Sequence, residues 1–309
     1  MPYTSGTAND LGAIKNAIVS ACTSNGWTGA GNVVYKGNVY VNIAVVGAYL
    51  TFQAGIGIDG NNNLTGAQPV PVRIGQIGNM AFTALTWPLS YFIHVQVDEI
   101  YLVINYNVDQ YQWAAFGQST VQGLPGTGVW CAATCAGNFY IPGYISIAPD
   151  SGNSYYPCPA FFYSTQGING GVGSEDGNSY GNAFIHHGLD ARTWSGGTYN
   201  NNIASGIYGA GVLQKVLPNI WNSESNLLPI QVCIPRTSGN KVSLVADMQH
   251  SRYLRIDNYA PGDIITLGPD RWKVYPWWKK VSAYRDGTTT STGIEGTGTM
   301  GWAIRYDGP

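Results

Sequence analysis

The chain has 309 residues, 10% of them charged and 44% hydrophobic, with a formal net charge of −2. That length allows roughly two domains. A charged fraction far below the ~25% of an ordinary soluble domain argues against a free-floating cytoplasmic enzyme and for a subunit whose surface meets neighbours.

The charge is segregated. Residues 1–73 sum to +1, residues 74–191 to −7 and residues 192–309 to +4, and the 118 residues between Arg73 and Arg192 hold no Lys or Arg. An acidic stretch of this kind is expected to repel nucleic acid. No apolar run reaches the ~18–20 residues of a membrane span. The opening MPYTSGTANDLG lacks the basic and apolar regions of a signal peptide, so synthesis and assembly in the cytosol are expected. Five scattered cysteines (Cys22, Cys131, Cys135, Cys158, Cys233) predict reduced, mostly buried thiols rather than a disulfide scaffold.

The first predicted element is a helix. Leu11, Ile14, Ile18 and Cys22 form one helical stripe, Thr7 and Asp10 resemble a capping box, and Asn25-Gly26 ends it. Short β-rich runs follow: VVYK, VYVNIAVV and AYLTFQAG, separated by Gly37-Asn38 and Gly47, with 58–66 as a loop. Residues 91–106 read as a hairpin turning near Asp98-Glu99. Phe92, His94 and Gln96 fall on one face and Ile93, Val95 and Val97 on the other, so a hairpin this apolar on both faces is expected to be covered on both.

From about 120 to 230 the periodicity fades, but aromatics recur every few residues, which predicts folded, irregular β structure with a short helix near 210–222. The last part returns to strands, KVSLVADM, RYLRID, DIITLG, RWKVYPWW and GWAIRY, in a meander with turns at 260–263 and 268–270. Together these predict a mainly β chain with one N-terminal helix. An α+β assembly domain spans 1–120. A Gly/Asn/Tyr-rich β domain spans 121–309 and ends in an antiparallel module from about 236.

Candidate chemistry is sparse. Asp98-Glu99 and Glu175-Asp176 are sequence neighbours whose side chains diverge on a strand, and they read as water-exposed turns rather than a converging glycosidase pair. Cys131 and Cys135 with His186-His187 lack the second cysteine pair of a zinc site; buried thiols or a Cys131–Cys135 disulfide are the alternatives. The nucleophile and phosphate-loop motifs are absent, and His94 reads as a core or interface residue. The run with Arg271, Lys273, Lys279 and Lys280 among Trp272, Tyr275, Trp277 and Trp278 reads as cations lying over an aromatic face, with single-strand binding as the rarer alternative. Ten Trp and twenty-one Tyr beside Asn-rich loops would also suit stacking on sugars.

Three segments resemble a family of virion structural proteins of tailed bacteriophages, found among tail and baseplate components. They are YTSGTANDLGAIKNAI with Gly26-Trp27, YFIHVQVDEIYLVINYNVDQYQWAAFGQ, and HSRYLRIDNYAPGDIITLGPDRWKVYPWWKK. The resemblance covers about half the chain, at both ends, and leaves out 140–230. This hairpin carries less charge than the family's, and Cys131 and Cys135 lie outside its pattern. The resemblance implies a non-enzymatic tail subunit at the baseplate or tip, without cofactor or metal. It also implies a homo-oligomer within the virion that contacts other tail proteins. A receptor- or carbohydrate-binding fibre module that meets host glycans is the alternative, and a neck or head-decoration protein a further one. The candidate interface residues are Leu11, Ile14, Ile18, Phe92, His94, Trp272, Trp277 and Trp278.

Overall fold

The structure is a computed structural model that describes residues 2–75, 85–133, 183–196, 204–205, 221–222, 224–236, 241–276, 280 and 300–308. The chain begins with β1 (Tyr3–Ala8) and α1 (Leu11–Thr23). There follow β2 (Thr28–Ala30), β3 (Val33–Lys36), β4 (Val39–Val46), β5 (Tyr49–Gly55), β6 (Gly57–Ile58), β7 (Leu64–Thr65) and β8 (Val72–Gly75). Next come β9 (Leu89–Val95), β10 (Glu99–Asn107), β11 (Gln110–Gln118), β12 (Val129–Ala133), β13 (Ala183–His186) and β14 (Trp194–Gly196). The last are β15 (Ala204–Ser205), β16 (Leu228–Pro235), β17 (Val242–Arg255), β18 (Ile264–Leu267), β19 (Asp270–Pro276) and β20 (Met300–Arg305). The chain is mainly β with its described α-helix at the N-terminus, as its periodicities predict.

Three sheets are stacked. The central one is antiparallel, in the order β1-β9-β10-β11-β12-β13-β14. Its alternation is strict. Ile100, Leu102, Ile104 and Phe116 point into one core with α1 and the sheet β2-β3-β4-β5-β8. Tyr101, Val103, Trp113 and Trp130 point into a second core against the C-terminal sheet. The hairpin β9–β10 is therefore covered on both faces, and both covers belong to the same chain. Residues of the charge-poor stretch form the centre of this stack, where an unpaired charge would cost several kcal/mol.

The helix starts where Asp10 Oδ1 accepts the Ala13 N–H at 2.7 Å. Thr7, expected to help cap it, lies instead in β1, paired with Ser90. A five-residue Asx-rich turn, 59–63, explains the 58–66 loop: Asp59 Oδ1 accepts from the Asn61 and Asn63 N–H groups, and β6 and β7 pair on either side.

The C-terminal sheet has the order β15-β16-β17-β20-β19-β18, so it is not the expected meander. The final strand β20 inserts between β17 and β19. The runs KVSLVADM and RYLRID are one long strand, β17, broken by a bulge at Gln249–Ser251, where its pairing with β16 slips between Pro229 and Ile230. The boundary placed at 120 falls between β11 and β12, which are neighbours in one sheet, and the C-terminal sheet already includes β16 before residue 236. The helix expected near 210–222 lies almost wholly outside the described residues.

Candidate functional site

The largest polar constellation sits where the central and C-terminal sheets meet. Glu99, the first residue of β10, is 0% exposed. Its Oε2 accepts from the Tyr101 hydroxyl at 2.7 Å, His250 Nδ1 at 2.8 Å and the His250 backbone N–H at 3.0 Å; its Oε1 accepts from the Gln249 N–H at 3.1 Å. The reading of Asp98-Glu99 as a water-exposed turn is corrected here. Strand alternation sends Asp98 toward solvent, half-buried, and turns Glu99 inward.

The bulge in β17 explains why a carboxylate belongs there. A bulge removes backbone groups from the ladder, and buried ones must find other partners. Glu99 takes the N–H groups of Gln249 and His250. Arg252, on the other side, donates Nη1 to the carbonyls of Met248, Gln249 and Ser251 at 2.8, 3.0 and 2.7 Å, and its guanidinium lies 4.9 Å from the Trp272 ring centre. Gly117 faces Glu99 across the sheet, and a Cβ there would stand 2.5 Å from the Asp98 carbonyl oxygen.

This set contains a Ser, a His and a carboxylate, but not in a catalytic relation. Ser251 follows His250 in sequence, is fully buried, and bonds the Tyr101 hydroxyl at 3.2 Å. Burial, reinforced by Glu99, pushes the Tyr101 hydroxyl well above the usual tyrosine range, so Tyr101 stays a neutral donor. Burial likewise raises the Asp98 carboxyl, with Glu99 as the next cause.

The second constellation joins His187 and Ser195, 2.6 Å apart and both buried. The proton inventory decides its role. His187 Nδ1 accepts the Leu189 N–H at 2.9 Å, so Nε2 carries the ring proton and donates it to Ser195 Oγ. A general base would have to accept from that hydroxyl. His186, on the opposite strand face, accepts the Thr127 N–H at Nδ1, 2.9 Å away. The two histidines therefore do not converge on one ligand, and among the described residues no group of three or more His, Cys, Asp or Glu could hold a metal.

The third constellation closes the edge of the sandwich. His94 Nδ1 donates to the Arg305 carbonyl at 3.2 Å, and its Nε2 accepts the Tyr275 hydroxyl at 2.9 Å. Tyr3 packs edge-on to His94 and to Tyr306, and Lys273 Nζ lies 4.6 Å from the Tyr3 ring centre and 4.7 Å from that of Tyr306. Arg271 and Lys273 of β19 thus rest on aromatic rings of their own chain, in keeping with the reading of cations over an aromatic face, whereas Lys280 Nζ donates to the Ile256 and Asp257 carbonyls.

Burial holds His94 neutral, its pKa lowered to about 3, and lowers that of His187 to about 4. At pH above 6.5 both are neutral folded or unfolded. As pH falls from about 6.5 toward 4, the unfolded chain takes up protons that the folded chain refuses, so stability falls with pH through that window. Urea titrations at pH 7 and pH 4.5 should show the loss, and His187→Gln should flatten the slope; an unchanged slope in that variant would exclude His187 as a source.

The structure places the described interface candidates against their own chain. Leu11, Ile14 and Ile18 are buried in the first core; Phe92 packs on Tyr275 against the second; His94 is buried; Trp272 is buried with Leu254, Ile256 and Val274 on the outer face of the C-terminal sheet. Phe92 is partly buried and the others are covered by their own chain, because the sheets stack within it. Trp277 and Trp278 lie outside the described residues, as do Cys135, Cys158, Glu175 and Asp176. Cys131 is a free, buried thiol, and burial raises its pKa.

Compared with known proteins, the chain matches no family model and no curated protein. No helix among the described residues is long and apolar enough to cross a membrane.

Sequence reasoning missed the Glu99 constellation. A signal was present: the polar run Gln249-His250-Ser251 interrupts two apolar strand patterns, as a bulge does. What the sequence did not reveal was its partner, 150 residues away at Glu99.

Proposed function

We propose that the chain is a non-enzymatic structural subunit of a bacteriophage tail, at the baseplate or tail tip, where it joins other tail proteins and further copies of itself. The observation that carries this reading is the engagement of the described polar constellations in the fold itself. Glu99 with His250 stitches a bulge, His187 donates to Ser195 instead of activating it, and His94 links two sheets. The three segments that resemble tail and baseplate proteins supply the setting, and the scarcity of charge suits a subunit that buries surface against neighbours. The test is mass spectrometry of purified virions, followed by location of the chain in an imaged particle. A monomeric protein absent from particles ends this reading, and a position on the neck or head moves it there.

A receptor- or carbohydrate-binding role is favoured by one observation. Trp221 is 90% exposed, a cost in water that a sugar ring would offset. In that case Trp221→Ala abolishes binding of the purified protein to host cells or a glycan array, while its thermal midpoint stays within a degree or two. Equal binding by both proteins removes Trp221 from candidacy.

A further inference from the structure

Two adjacent histidines at the end of β13 grip two different loops through the same ring atom. His186 Nδ1 accepts the Thr127 N–H at 2.9 Å, and the Thr127 hydroxyl lies 3.0 Å from it. His187 Nδ1 accepts the Leu189 N–H at 2.9 Å. An imidazole accepts a hydrogen bond only while one ring nitrogen is bare; a charged ring is a donor at both. One added proton on either ring therefore turns a hydrogen bond into two N–H groups that face each other.

The loops held in this way pack on one another and on the second core. Gly126 and Gly128 donate their backbone N–H groups to the carbonyls of His187 and His186, and a Cβ at Gly188 would stand 2.5 Å from the Gly126 nitrogen. Leu124 of one loop and Leu189 of the other rest, partly buried, on the second core. The 188–193 loop also holds Asp190 and Ala191 at φ 55° and 58°. That conformation is unfavourable to a residue with a Cβ and persists only where neighbours enforce it. A further tie is the Asp190 carboxylate, which Arg236 bonds through Nε and Nη2 at 2.9 and 2.7 Å.

We propose that His186 and His187 form an acid-released clasp: neutral, they hold the 124–128 and 188–193 loops shut over the second core, and protonated, they let both loops open and bare Leu124 and Leu189. Burial keeps both rings neutral in the closed form, lowering the pKa of His187 to about 4 and lowering that of His186 as well. Of the charged groups that act on His187, a charged His186, Arg192 and Arg236 oppose a cation there, and Asp190 favours one. In the open form both rings meet water and bind protons near the ordinary value of 6.5. The open form thus takes up protons that the closed form refuses, so acid favours opening. The central sheet stays paired, and opening precedes the global loss of stability that the same histidines produce. The clasp is a property of the chain itself and stands whether or not the chain is a tail subunit.

Hydrogen exchange of the full chain between pH 7 and pH 4.5, corrected for the intrinsic exchange rate at each pH, tests the clasp. Below about pH 6 the Leu189 and Thr127 amides should lose protection about tenfold per pH unit, while Val103 and Trp113 in the central sheet keep theirs. His187→Asn sets an amide oxygen near the place of Nδ1 and takes up no proton, so the loss at Leu189 should shrink by about tenfold or more over that range. His186→Asn should do the same at Thr127. Should either variant fail to fold at pH 7, the wild type decides alone, by Leu189 and Thr127 against the central sheet. Protection at Leu189 and Thr127 that persists at pH 4.5 overturns the clasp, as does loss at all amides in step, which is global unfolding. A pH dependence unchanged in the Asn variants overturns it too and moves the effect to an acid such as Asp190.

Discussion

Glu99→Ala is expected to lower the unfolding free energy by about 3–5 kcal/mol, the range for removing one partner from a buried, hydrogen-bonded charge site. The substitution deprives the Gln249 and His250 N–H groups, the Tyr101 hydroxyl and the His250 ring of their acceptor in one step. Each buried donor left without a partner costs about 1–3 kcal/mol, and water that enters the space recovers part of it. Glu99→Gln keeps the shape but turns an NH2 group toward donors, so it should also destabilise, though less. Asp98→Ala is the control. Its side chain is half-buried and diverges from Glu99, and a change within roughly ±0.5 kcal/mol is expected, as for surface substitutions. Denaturant midpoints of the three variants decide the matter. A Glu99→Ala protein within about 1 kcal/mol of wild type would mean that the bulge is satisfied some other way.

Trp302→Ala should cost a comparable amount, about 3–5 kcal/mol, as for other buried Trp truncations. Trp302 is fully buried at the middle of the second core, with its ring centre 5.6 Å from that of Tyr101 and 5.3 Å from that of Trp113. With Ile304 it is one of the β20 side chains that face the central sheet, and Tyr101 also bonds Glu99 and, on β17, Ser251, so the loss should loosen the same joint as Glu99→Ala. Their effects are then coupled, and the double variant should lose less than the sum of the two by at least ~0.5 kcal/mol. Strict additivity in a double-mutant cycle would show that the aromatic cluster and the carboxylate act independently.

The sequence made local elements legible and left their partners hidden. The stripe Leu11, Ile14, Ile18 and Cys22 reads as a helix because burial on one side imposes a 3.6-residue period, and the structure buries all four. The alternation in the hairpin assigns Ile93 and His94 to opposite faces correctly, and the doubly apolar pattern announces two covers. Nothing in a period says whether a cover is another chain or a later part of the same one, and residues that were expected at interfaces instead pack on their own chain. Strand order escapes for the same reason. The five C-terminal runs look like a meander, but β20 takes the slot between β17 and β19 because long-range pairing leaves no local mark. Glu99 was misread because exposure was inferred from its place beside a turn, whereas its burial depends on a bulge in a strand far along the chain.

The two covers of the central sheet also differ in when they arrive. A ribosome delivers β1 through β12 together with the first cover, α1 and β2 to β8, well before the second. The Tyr3 ring must wait for Tyr306, its neighbour at 4.9 Å, which lies far along the chain. In the interval Tyr101, Val103, Trp113 and Trp130 present an aromatic and aliphatic face to water, on a sheet whose strands are already able to pair. Such a nascent intermediate is prone to aggregate, and contacts of this sequence separation close slowly. The feature that makes the finished fold a tight three-layer stack thus makes its birth the vulnerable stage, in which β20 seals the core long after the strands it covers have been made.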